Sequence, residues 1–140
     1  MAFTEDEIAY LRSQPLTRLA TVAPDGQPDV VPVGFELEGT ALYIGGLDPV
    51  ATRKFRNVRS GNDKVALVMD DLVSTDSWTP RYLRIYGQAE LIERRGQFGG
   101  GWYMRITPTL SWSWNLDGRP MADGDEGPGA PRRTVHESAA

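Results

Sequence analysis

Period-two alternation dominates the first half of the chain. In TRLATVA, residues 17–23, Leu19 and Thr21 alternate with Ala20 and Val22, the pattern of a strand buried on one face. PDGQP then supplies a turn at Asp25–Gly26, and DVVPVGFEL resumes strand character, so the pair reads as a β-hairpin. A second turn at Glu38–Gly39 leads into TALYIGG. The simplest connection of these three strands is an antiparallel meander. Ahead of them, Thr4 and Glu7 have capping-box spacing, and Ile8, Tyr10 and Leu11 give a short helix one apolar face that Pro15 should end. The period changes again after Asp48–Pro49, where VATRKFRNVR predicts a helix burying Val50, Phe55 and Val58, with Gly61 as its stop.

Three further runs, KVALVMD (64–70), RYLRIYGQAELIE (81–93) and WYMRITPTLSWSW (102–114), raise the expectation to six or seven strands. Gly87 inside the longest run marks a bend or bulge. Many strands with one crossover helix predict a mainly β fold, a closed or split antiparallel barrel with two to three short helices. The edge that such a barrel leaves open is commonly covered by a second copy, so a homodimer is expected. From Asp117 onward the chain is rich in Gly, Pro, Asp and Arg with little to bury. It is therefore divided into a domain over 1–118 and a flexible tail over 119–140.

Composition narrows the chemistry. The 140 residues, 40% of them hydrophobic, suffice for one core without staples. There is no cysteine, which removes disulfides, thiolate metal sites and thiol nucleophiles. The single histidine, His136, lies in the predicted tail, which disfavours imidazole-based hydrolysis and histidine-held metal, and no metal is expected. A net charge of −4 offers no basic field for nucleic acid. The acidic start and the lack of a long apolar run predict a soluble, cytoplasmic protein with no membrane association. Chemistry performed by a bound organic cofactor is the class left open beside pure binding.

Within this acidic chain, Arg53, Lys54, Arg56, Arg59 and Lys64 face only Asp63 between residues 53 and 64. Cations near a helix start oppose the macrodipole unless an anion accompanies them, so the segment reads as a phosphate site or as a solvated face. Pro32, inside VVPVGF, removes a ladder donor and marks either an edge strand or a ligand-facing bulge. Trp112 and Trp114, two apart, share one face of a strand, as core, interface or stacking wall; Trp78 and Trp102 complete the set.

In order, RLATVAPDGQPDVVPVGF, IGG, TRKFRNVRSG, KVALVMDD, RIYGQAEL and RITPTLSWSWNLDG resemble the flavin and deazaflavin split-barrel family related to pyridoxamine 5′-phosphate oxidase, over about residues 3–118. Within it the sequence resembles the coenzyme F-420 branch, in particular the small dehydrotetracycline reductases of oxytetracycline and chlortetracycline pathways. The resemblance implies an FMN-binding-like split barrel, homodimeric, with cofactor at the subunit interface. It assigns Thr52, Arg53, Lys54, Arg56 and Asn57 to the cofactor phosphate and the backbone of Val31, Pro32 and Val33 to the deazaflavin ring. Trp78 and Trp112, with Arg84 and Trp114, would come from the second subunit. The implied reaction passes hydride from carbon 5 of reduced F-420 to a conjugated C=C of a polycyclic enone, such as the 5a–11a bond of a dehydrotetracycline. Protonation would follow from solvent, a substrate phenol or Tyr43. An FMN-dependent oxidoreductase of the pyridoxamine 5′-phosphate oxidase type and a non-catalytic flavin or deazaflavin carrier are the alternatives.

Overall fold

Helix α1 (Glu5–Ser13) starts on the expected capping box, the Glu7 N–H donating to Thr4 Oγ1 at 3.1 Å and the Thr4 N–H to Glu7 Oε1 at 2.9 Å. The chain, a computed structural model, is described over residues 2–46, 48–121 and 127–137. Eight strands follow: β1 (Thr17–Val22), β2 (Pro28–Val33), β3 (Glu36–Glu38), β4 (Ala41–Ile44), β5 (Lys64–Leu72), β6 (Pro80–Gly96), β7 (Gly99–Trp114) and β8 (Arg132–Val135). A 3-10 turn (Pro49–Ala51) and helix α2 (Arg53–Arg59) link β4 to β5.

All strand pairs are antiparallel, in the order β2-β1-β5-β6-β7-β4-β3, with β8 also on β7. The β1–β2 and β3–β4 hairpins form as expected, but the meander does not. DVVPVGFEL breaks at Gly34–Phe35, and its two halves end up on opposite edges of the path. Two residues span that junction, so the sheet must curl until its edges meet without pairing. That curl is the split barrel.

Inward-facing positions fill it: Leu19 pairs with Leu67 and Leu67 with Ile85, while Leu42 and Ile44 pair with Ile106 and Met104. All seven are at most 1% exposed, as are Leu11 and Phe55, which reach the same core from the two helices. At roughly 1.5–3 kcal/mol for each fully buried large side chain, this layer dominates the stability. The β6–β7 register slips at Tyr86/Gly87, the bend foreseen at Gly87, where a Cβ would come within 2.6 Å of Ile106.

Two sequence expectations are corrected here. Val50 is 39% exposed, because the predicted helix is interrupted at Thr52 and only Phe55 and Val58 turn inward. The segment after Gly118 is not structureless over 127–137: β8 pairs with Leu110–Ser113. The strand β7 is long enough that β4 covers only its Met104–Ile106 part, so its far half offers a free backbone ladder that few apolar side chains are needed to fill. Buried Thr134, a 2.8 Å bond between Ser111 Oγ and His136 Nε2, and the Trp114 indole N–H donating to the Gly129 carbonyl at 2.7 Å complete the docking.

Opposite the core, the outer face of the sheet carries one continuous row, Val30–Ala20–Ala66–Tyr86–Leu110–Val135, each residue the cross-strand neighbour of the next. Val30, Tyr86 and Val135 are 64%, 43% and 53% exposed.

Candidate cofactor site

Two side-chain amides, buried Asn57 and half-buried Asn62, set the position of α2. Asn57 Nδ2 donates to Thr21 Oγ1 at 2.9 Å, and Asn62 Nδ2 to the Val22 and Ala23 carbonyls at 3.0 Å each, so the helix is held against the end of β1. With Phe55 and Val58 facing inward, the helical period sends Arg53 and Arg56 outward to the β1–β2 turn. There, with Ala23, Asp25, Gln27 and Ser60, they line a cavity of ≈ 630 Å³. Neither guanidinium makes a hydrogen bond or ion pair among the described residues. Lys54, between them in sequence, is half-buried. Burial pushes its ammonium below the ordinary 10.5, the charge of Asp29 on β2 only partly opposing. The first turn of α2 has no acidic residue and no side-chain cap, and the Thr52 hydroxyl donates instead to the Pro49 carbonyl at 2.5 Å. The segment thus gathers cations that form no ion pair among the described residues, one of them partly desolvated. That arrangement fits a phosphate group.

The neighbouring β2 is an edge strand, paired only with β1, and its register passes unbroken through Pro32, so the edge reading of that proline holds and the bulge does not. Val31 and Val33 face inward opposite Leu19 and Thr17, while Pro32 faces outward opposite Arg18. The free side of β2 leaves backbone donors and acceptors unpaired next to α2.

A family model described as pyridoxamine 5′-phosphate oxidase matches residues 3–138. The chain belongs to this family. It is an oxidoreductase, and the match includes β8. A 5a,11a-dehydrotetracycline/5a,11a-dehydrooxytetracycline reductase of Streptomyces rimosus is 41% identical over 125 residues, covering 84% of this chain and 87% of that protein. Among solved structures, a conserved hypothetical protein of Mycobacterium tuberculosis is similar with a TM-score of 0.65 at 21% identity, over 83% of this chain and 87% of that one. A protein described as an F420 reductase superposes with a TM-score of 0.51 at 22% identity, over 70% and 90% of the two chains. At these identities the structural likenesses establish the split-barrel fold.

The remaining sequence-predicted residues of the family site do not converge on α2 within one chain. Trp112 lies on the outer face of β7, four strands from β2 and roughly 19 Å along the sheet. It stacks under Arg84, whose Cζ is 3.9 Å from the ring, with Tyr86 edge-on at 4.9 Å. Trp114 shares that face as predicted, beside Tyr82 at 5.7 Å. Trp78, 55% exposed with a φ of 37°, sits in the β5–β6 loop. Tyr43 lies beneath the Arg94 guanidinium, 3.7 Å from its Cζ, in a separate cavity with Glu38, Gln88, Glu90 and Arg105. Asn57 borders the α2 cavity, but one of its two amide N–H groups is spent on Thr21.

Sequence reasoning undervalued Arg84. Its Nε is fully buried without an acceptor, and the side chain makes no ion pair among the described residues. The signal was present in the alternation, which places Arg84 and Tyr86 on one face with Trp112 across from Arg84.

Proposed function

We propose that the protein is a coenzyme F-420-dependent reductase that delivers hydride to the conjugated C=C of a polycyclic enone, with a dehydrotetracycline as the substrate class. The observation that carries this reading is the 41% identity to the dehydrotetracycline reductase across most of both chains. The cofactor assignment is supported by the cations of α2, whose first turn holds no acidic residue, and by the free edge of β2. When bound, the reduced deazaflavin supplies a hydride from carbon 5. Arg53, Lys54 and Arg56 hold the phosphate by charge-assisted hydrogen bonds, and the backbone at Val31–Val33 orients the ring edge. The negative charge that develops on the enone oxygen calls for a cation or hydrogen-bond donor nearby, and the subsequent proton comes from solvent, the substrate's own phenol or Tyr43.

The functional unit is a homodimer formed through the outer apolar row, with Trp78, Arg84 and Trp112 completing the partner's cofactor site. A second copy supplies what that face requires: cover for an exposed apolar stripe, and an environment for a half-buried guanidinium lacking an acceptor.

Fluorescence titration with oxidised F-420 and, separately, with FMN tests the cofactor. Micromolar F-420 binding with weak FMN binding is expected, followed by consumption of reduced F-420 on addition of 5a,11a-dehydrotetracycline. Preferential FMN binding would establish instead the second reading, an FMN-dependent oxidoreductase, which the family match to an oxidase favours. Tight F-420 binding with no hydride transfer to any enone would establish a carrier.

A further inference from the structure

The β6–β7 hairpin is closed by two residues, Gln97 and Phe98, between the paired Gly96 and Gly99. Such a tip normally carries small polar residues, and a phenyl ring held in water there loses the gain of burial. Phe98 is nevertheless 46% exposed. Its position is tightly specified. The Phe98 N–H donates to the hydroxyl of Tyr103 at 3.0 Å, and that hydroxyl donates onward to the Gly99 carbonyl at 2.8 Å. Tyr103 itself is 2% exposed and occupies a slot in which a Cβ at Gly45 would come within 2.5 Å of its ring. One side of the Phe98 ring rests on glycine backbone: a Cβ at Gly34 would lie 3.6 Å from it, and one at Gly45 3.0 Å. Two residues before Gly96, Arg94 forms ion pairs with both Glu36 and Glu38 of β3 and stacks on Tyr43. The tip is therefore tied to the β3–β4 hairpin.

Gly34 directly follows Val33. The exposed part of the ring therefore stands beside the edge strand to which the deazaflavin ring is assigned, at the seam where the sheet edges meet. A planar apolar surface, rigidly supported from behind and bare in front, next to unpaired strand backbone, suits a flat conjugated ligand.

We propose that Phe98 is the aromatic wall against which the planar ring system of the substrate stacks, a specificity-determining residue of the reductase. This rests on the reductase reading above. An offset-stacked or edge-to-face aromatic contact contributes an increment that corresponds to about threefold to tenfold in affinity.

The test is equilibrium binding of 5a,11a-dehydrotetracycline to the full-length protein loaded with oxidised F-420, which cannot turn over, for wild type, Phe98→Ala, Phe98→Leu and Phe98→Tyr. Steady-state KM and kcat, the F-420 Kd and Tm are measured alongside. Phe98→Ala and Phe98→Leu should raise the dehydrotetracycline Kd and KM about threefold to tenfold, leaving the F-420 Kd unchanged, whereas Phe98→Tyr keeps the wild-type values. Leu preserves the bulk of the tip, so a loss in that variant at unchanged Tm cannot come from a collapsed hairpin. Unchanged dehydrotetracycline Kd in both Ala and Leu variants, or a fall in F-420 affinity as large as the fall in substrate affinity, overturns the assignment while leaving the reductase reading intact. Wild-type protein that neither binds nor reduces dehydrotetracycline overturns both.

Discussion

At the scale of single residues, Lys54 has opposed effects on stability and binding. Its ammonium loses hydration on folding and recovers only part of the loss from Asp29, which is why its pKa falls below 10.5. Between the lowered pKa and 10.5 the unfolded chain holds more protons, so stability rises with pH there and the charged lysine is a burden on the folded protein at neutral pH. Lys54→Met should therefore raise the Tm of the ligand-free protein and weaken F-420 binding by about 1–3 kcal/mol, the range for a charge-assisted hydrogen bond. Because the phosphate needs the ammonium, wild-type affinity should be level at low pH and decline as pH rises through the lowered pKa, before 10.5, and Lys54→Met should flatten that decline. Titrations across pH with both proteins check this. Asn57 acts differently: Asn57→Ala leaves buried Thr21 without its donor and should cost roughly 1–3 kcal/mol of stability, read by urea denaturation. The positions of Phe55 and Val58 were legible from helical spacing, and the shared face of Trp112 and Trp114 from strand parity. The position of Phe98 is decided by Gly34 and Gly45, and the stacking of Arg84 by Trp112, residues brought alongside by pairings that no local pattern encodes.

At the scale of elements, the hairpins were legible because each is set by a few contiguous residues, and α1 because its capping box is local. The meander failed at Gly34–Phe35, where a two-residue break sends β2 and β3 to opposite edges, an outcome fixed by the long β6–β7 hairpin rather than by the segment itself. The C-terminal strand failed for a related reason: what it pairs with is the uncovered half of β7, so its own composition carried little signal. Deleting residues 119–140 should consequently lower Tm, whereas an unstructured tail would leave it unchanged. Burial also lowers the His136 pKa below 6.5, with Glu7 opposing. Below 6.5 the unfolded chain takes up the proton more readily, so the contribution of His136 is complete above 6.5 and lost as pH falls through the lowered value. A Tm profile from pH 7 to pH 4.5 should slope more steeply for wild type than for His136→Gln.

At the scale of the whole molecule, the outer row predicts the oligomeric state. Tyr86→Lys places a charge at its centre, across from Ala66 and Leu110. Light scattering should report a dimer for wild type and a monomer for the variant, and the variant should lose F-420 affinity if Trp78, Arg84 and Trp112 serve the neighbouring subunit. Loss of association with full cofactor affinity would confine the site to one chain. The order of the strands also governs how the protein can be made. The inward residues of β5 face partners on β6, and the β3–β4 hairpin joins the rest of the sheet only through β7. A ribosome that has released the first seventy residues has therefore produced a half-sheet whose core layer has no opposite wall. Nothing can close until the stretch ending at Trp114 has emerged, so this chain acquires its structure late in synthesis and exposes Leu67 and Met69 until then.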